Sequence, residues 1–211
     1  MINENIIDTI LTVTVGICMF LSIYKAVVCK SRLWVLYGMF CGAFFLGSMW
    51  WVLYLLFFDG DNPISLIPYN DWNVANLFLL LLLELCLWEK RVARSERILW
   101  IIPLFVTVMC IYYMTMGKYI SNIITAVMMG SVMWRACSGL LYMKRNPSEE
   151  DARLAGICHA VMFYFFTEYA LWTASCLDYD NPLRNLYYVF TIGLALSIIR
   201  FIPALGKVVE G

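Results

Sequence analysis

"DGDNP" at residues 59–63 and "DYDNP" at residues 178–182 repeat one pattern, Asp-x-Asp-Asn-Pro, 119 positions apart in a chain of 211 residues. Each closes a long apolar run, so each marks the exit of one helix and the entry of the next. In the second copy Asn181 is placed to cap a helix whose first residue is Pro182, where a missing N–H costs nothing. The first copy is followed by about ten extra residues, "ISLIPYNDWN", so Asn70 or Asp71 is expected to cap the next helix instead.

The same 119-residue shift aligns more than these turns. Cys18 meets Cys137, Lys25 meets Lys144, Phe44 meets Phe163, Ser48 meets Thr167 and Trp50 meets Tyr169. Beyond the insertion, Asn76-Leu77-Phe78 lines up with Asn185-Leu186-Tyr187, and Arg91 with Arg200. Polar residues are scarce in this chain, so polar matches carry the comparison. They predict an internal duplication.

Composition sets the class. Apolar residues make up 63% and charged residues 14% of the chain, against about 45–50% and about 25% in soluble domains. Seven apolar segments follow: 6–28, 33–58, 72–88, 98–116, 119–143, 154–177 and 183–204. Each approaches the roughly 17–25 residues a helix needs to cross a bilayer. None alternates as a barrel strand must. The opening "MINENIIDTI" has acids and no basic n-region, so it reads as the start of the first helix rather than a cleaved signal. The expected fold class is an all-α polytopic membrane protein with seven transmembrane helices.

Charge placement orients it. Of 15 basic residues, Lys118 and Arg184 fall on one side and Arg135 within a helix. The remaining twelve lie in the first, third and fifth loops and the C-terminal tail. The positive-inside rule then puts the N-terminus outside and the C-terminus in the cytoplasm, as in a plasma (inner) membrane protein. One transmembrane domain over 1–211 divides into a three-helix unit at 6–97, a linker helix at 98–116 and a second unit at 119–204. A single linker helix gives both units the same orientation, a 3+1+3 parallel repeat. This plan resembles that of the SWEET and PQ-loop carriers. It departs from them in having no proline in helices 1, 2, 5 and 6. The seven-helix, N-out plan also resembles rhodopsins and heptahelical receptors, although "LYYVFTIGLALSIIRF" at 186–201 has no lysine for a retinal Schiff base. No cofactor is implied.

An ionisable group inside a membrane helix is costly unless paired or hydrated, which makes it a functional candidate. Glu84, Arg135, His159 and Glu168 qualify. Glu84 and Arg135 read either as a structural pair between helices 3 and 5 or as a gate at the inner end of a cavity. His159, the one histidine, shares a face with Met162 and Phe163; it reads as packing or as a proton carrier. Glu168 lies about 13 Å from Leu177 along the helix, near the midplane, with Tyr164 one turn before it. It is the preferred binding or proton-coupling residue, and its repeat partner is Met49. Asn76, Asn122 and Asn185 are candidates for an outer vestibule.

The eight cysteines show no paired spacing and read as packing residues. No second His or Cys stands one turn from His159, so no metal site is predicted. Gly38-x-x-x-Gly42 permits close helix approach, within the bundle or in a homodimer. Trp50, Trp51, Trp72, Trp88 and Trp100 sit where an interfacial aromatic belt is expected. No G-x-S-x-G, H-E-x-x-H or phosphate-binding glycine loop is present, so no catalytic residue is assigned. Basic residues form no nucleic-acid patch. The function classes left are a small-solute transporter or facilitator, proton-coupled or not; a heptahelical sensor acting through a partner protein; and an intramembrane lipid-modifying enzyme. The bilayer and an unidentified small molecule are the expected partners.

Overall fold

The computed structural model describes residues 4–57, 66–88, 90, 96–178 and 180–210. Among them are seven α-helices: α1 (Glu4–Cys29), α2 (Arg32–Phe57), α3 (Leu66–Cys86), α4 (Ile101–Met114), α5 (Tyr119–Arg145), α6 (Glu149–Ser175) and α7 (Leu186–Val209). Short 3-10 turns, Arg97–Trp100 and Pro182–Asn185, lead into α4 and α7.

The surface of α1 shows what kind of solvent it faces. Its outward stripe is Ile6, Ile10, Val13, Ile17, Phe20, Tyr24 and Val27, each at least half exposed. Its buried stripe contains Asp8, Thr12 and Ser22. A soluble helix has the opposite arrangement, apolar inward and polar outward. An exterior more apolar than the interior fits a helix that meets lipid and satisfies its polar groups inside the bundle. Six helical segments are long and apolar enough to cross a membrane. The chain is an integral multi-pass membrane protein.

The start of α3 corrects the expected boundary. This helix begins at Leu66, so Asn70 and Asp71 lie inside it and cap nothing. Pro68 sits in its first turn, where the lost N–H has no helical partner to miss. Most of the presumed insertion is therefore helix. The first half of α3 carries the polar residues Asn70, Asp71, Asn73 and Asn76. At the second repeat of the opening pattern, Asn181 does cap: its Oδ1 accepts from the Leu183 N–H at 3.0 Å, with Pro182 at the first position. The capped element is the 3-10 turn that precedes α7. The first copy, at 59–63, lies outside the described residues.

Neighbouring helices pack in the order α1, α2, α3, α5, α6, α7 and back to α1, closing a ring. α4 packs outside that ring on α5. Its far end reaches α6, where the Tyr113 hydroxyl donates to the Tyr169 carbonyl at 3.1 Å. α1 and α7 run parallel. Glu4 pairs with Arg184 at one end and Lys25 with Glu210 at the other, at 3.3 and 2.7 Å. These ends are called here the N-face, which carries the start of α1, and the C-face, which carries both the end of α1 and the end of α7. Gly38 and Gly42 turn toward α1: a Cβ on them would meet Ser22 Cβ at 3.4 Å and Met19 Sδ at 3.5 Å. This small-residue face is used inside the chain.

Ion pairs tie the C-face together. Arg145 holds Glu96 through two bonds of 2.6 and 2.9 Å, and Lys90 pairs with Asp151 and with Glu150. Asp151 belongs to the cap of α6, where the Ser148 hydroxyl accepts from its N–H at 3.1 Å. Several of the basic residues that oriented the sequence thus also fasten one helix end to another.

Candidate functional site

Two layers occupy the middle of the ring. The lower layer is aromatic. Tyr37, Phe40 and Phe44 on α2, Tyr164 on α6 and Phe201 on α7 are all at most 3% exposed. Tyr37 stacks on Phe201 and on Phe40, with ring centroids 5.5 and 5.8 Å apart. Tyr164 meets Phe40 and Phe44 edge-on. The Tyr37 hydroxyl donates to the Ile198 carbonyl of α7 at 2.5 Å. Pro203, one turn further along α7, cannot donate to Ile199, so the backbone ladder is interrupted beside this layer.

Above it, a cavity of about 490 Å³ extends to the N-face ends of the helices. Its walls come from all seven helices, with Phe44 and Leu194 at depth and Glu4, Lys118 and Arg184 near the rim. Tyr69, Trp72 and Trp172 form an aromatic wall, with ring centroids 5.1 to 5.9 Å apart. Close approach of α3 to α2 makes that wall. A Cβ on Gly47 would stand 3.0 Å from Trp72 Nε1 and 3.2 Å from the Pro68 carbonyl.

Two buried acids face this space. Glu168 is 2% exposed and its Oε2 has no hydrogen-bond partner. It stands seven residues from the end of α6, about 10 Å along the axis. Asp8, one turn into α1, accepts from the Tyr187 hydroxyl at 2.7 Å, while its Oδ2 has no partner. Ser48 Oγ and Trp72 Nε1, on other walls, are likewise buried and without partners. Unpaired buried polar atoms are few in most proteins. Here four line one cavity. Such a space can hold a small molecule by charge at its acids and by contact along its rings.

The bases at the rim are engaged elsewhere. Arg184 donates to the Leu177 carbonyl at 3.1 Å and to that of Ser175, closing the end of α6, besides its pair with Glu4. Lys118 Nζ lies 3.5 Å from the Tyr69 hydroxyl and 4.8 Å from the centre of its ring.

The residues singled out from sequence fall in four places. Glu168 lines the cavity. Tyr164 lies in the aromatic layer beneath it and donates to Asn76 Oδ1 at 3.3 Å. Glu84 and Arg135 form an ion pair of 3.0 Å between α3 and α5, outside this cavity. His159 is exposed on the outward face of α6, the face that also carries Phe166. Of the three amides, Asn122 reaches the cavity wall, but its Nδ2 is spent on the carbonyls of Tyr113 and Gly117, at 3.1 and 2.8 Å. Gly117 needs its glycine, with φ of +88° in the tight α4–α5 connection. Asn76 is fully buried below and Asn185 is exposed.

Sequence reading missed Asp8, Trp172 and Tyr187, and it placed Trp51 and Trp72 in an interfacial belt. Trp51 and Trp72 instead line the cavity. A signal existed for Asp8, which lies within the apolar segment 6–28. None existed for the tryptophans, because a belt residue and a wall residue at one depth differ only in which way the helix is turned.

No protein-family model, curated protein or solved structure matches this chain.

Proposed function

We propose that this chain is a small-solute transporter or facilitator, with its solute site in the N-face cavity and that face outside the cell. The observation that carries the reading is the cavity's vertical arrangement. A buried carboxyl, Glu168, lies deep in a space of small-molecule size, and an aromatic layer separates it from the C-face. A carrier halted with one side accessible has this form. Of the twelve basic residues that oriented the sequence, the described ones lie toward the C-face and support the orientation.

The ring order supports the parallel 3+1+3 repeat as part of the same reading. A half-turn about the membrane normal would carry α1, α2 and α3 onto α5, α6 and α7, and the α1–α7 contact onto the α5–α3 contact. Pro203, beside the aromatic layer, is the hinge in this account. Glu168 would couple solute movement to a proton.

One observation favours a second reading, a heptahelical sensor. The aromatic layer fills the middle of the ring with side chains at most 3% exposed, and a receptor needs no passage there. Uptake into proteoliposomes separates the two. Purified protein is tested with amines, amino acids, sugars and carboxylates, with and without a pH gradient. Accumulation that Glu168→Gln abolishes or uncouples from the gradient is expected. Binding of a solute with no uptake in either vesicle orientation would make the protein a sensor.

A further inference from the structure

The cavity's charges are unequally committed. Its bases, Arg184 and Lys118, are held at the rim by Glu4, helix-end carbonyls and the face of Tyr69. Its deeper acids are not matched in this way. Among the described residues no ion pair reaches Asp8 or Glu168, and each keeps one carboxyl oxygen without a partner. Both are more than nine-tenths buried and both line the cavity. A carboxyl so placed is compensated by a proton, by water or by a cation from outside the chain.

The rings beside them narrow that choice. Tyr69, Trp72 and Trp172 supply aromatic surface on the wall, and indole is the strongest cation-binding ring among the side chains. Lys118 already rests 4.8 Å from the centre of the Tyr69 ring, so this wall receives a cation within the chain itself. An inorganic ion would fill little of about 490 Å³ and would leave the aromatic wall without a partner. The space calls for an organic body.

We propose that the ligand of this cavity is a small organic cation, an amine or quaternary ammonium with an apolar body, its charge held by Glu168 and Asp8 and its body against Trp72 and Trp172. The proposal rests on the cavity being the solute site and names the class of solute. The competing account is that ordered water alone serves the unpaired atoms.

The test uses the full chain in nanodiscs and three probes of one shape: phenethylamine (cation), 2-phenylethanol (neutral) and phenylacetate (anion). Binding is read by calorimetry. Phenethylamine is expected to bind at least tenfold more tightly than the alcohol, with phenylacetate weakest. Glu168→Gln and Asp8→Asn should each reduce that preference tenfold or more, and Trp172→Leu should weaken amine and alcohol alike. His159→Ala, on the outward face, should change neither. Elution as a single monodisperse species is required of each variant, and the two acids provide independent variants should one misfold. Equal binding of amine and alcohol, tighter binding of phenylacetate, or no binding of any probe (the water-only outcome) would overturn the proposal. Uptake of phenethylamine into proteoliposomes keeps the two readings apart. Charge-selective binding without uptake sinks the transporter and leaves the cation site standing. Uptake of a neutral or anionic solute that amines neither bind against nor compete with does the reverse.

Discussion

Arg135 on α5 stands 3.0 Å from Glu84 on α3, Nε to Oε1, and also donates to the carbonyls of Lys90, at 3.1 Å, and Leu87. One side chain thus pairs an intramembrane acid and closes the C-terminal end of α3, where carbonyls lack helical donors. Arg184 does the same for α6 at the opposite face. Arginine suits this work because its five donors are fixed in a planar fork.

Removing that fork should therefore be expensive. Arg135→Met is expected to lower stability by roughly 2–4 kcal/mol, somewhat below the range for a fully buried pair because a third of the Glu84 side chain is exposed. Arg135→Lys should recover only part of the loss. Thermal unfolding of purified protein in detergent checks both, and a wild-type midpoint for Arg135→Met would remove the capping role.

A methyl group at Gly47 should separate two helices that now touch. An added Cβ there would press on Trp72 and on the backbone at Pro68. Gly47→Ala is expected to cost about 1–3 kcal/mol and to shift tryptophan emission, since it moves the cavity wall. Gly42→Ala, whose Cβ would meet only Met19 Sδ at 3.5 Å, should fall within about 1 kcal/mol of wild type. Equal effects at the two sites would contradict this packing.

The aromatic layer gives a labelling prediction. Cys41 is completely buried beside it, whereas Cys29 at the C-face is partly exposed. Maleimide should label Cys29 before Cys41, which should react slowly or not at all. Phe201→Ala removes the ring stacked on Tyr37, which should cost about 3–5 kcal/mol and raise the labelling rate of Cys41. Phe20→Ala, on the lipid face, should leave that rate unchanged.

Acid should loosen the C-face through Glu96. Two hydrogen bonds from Arg145 hold its carboxyl below the ordinary carboxylate value of 4.5. A group whose pKa is lowered by folding contributes stability that is complete above its unfolded value and is lost as pH falls through the folded one. The contribution should therefore be constant at neutral pH and disappear below about pH 4.5. Arg145→Gln should flatten this part of the stability profile; an unchanged acid slope would show that the pair contributes nothing.

Membrane class, helix number and most helix limits were legible in the residues. Length and apolarity are local properties, and a backbone crossing lipid has no option but to bond within its own helix. Glu168 was legible for a related reason, since an acid among apolar neighbours stands out by cost alone. The start of α3 was not. Pro68, Asn70 and Asp71 read as loop residues, and only packing against Gly47 of α2 accounts for a helix that begins before them.

Which side of each helix faces inward was decided by tertiary structure. On α2 the buried residues include Trp34, Tyr37, Phe40 and Phe44, and the exposed ones Val35, Met39, Leu46 and Leu53. Both sets are apolar, so the helix carries almost no periodic contrast from which its rotation could be read. Lipid and protein interior are nearly the same solvent for such side chains, and the choice falls to shape and to the few polar groups. The sequence alone determined that this chain enters a membrane and where it costs most to do so. The fold decided that Asp8 and Glu168, 160 positions apart, line one cavity with Trp72 and Trp172, because only the closing of α1 onto α7 brings the first and last helices of the ring together.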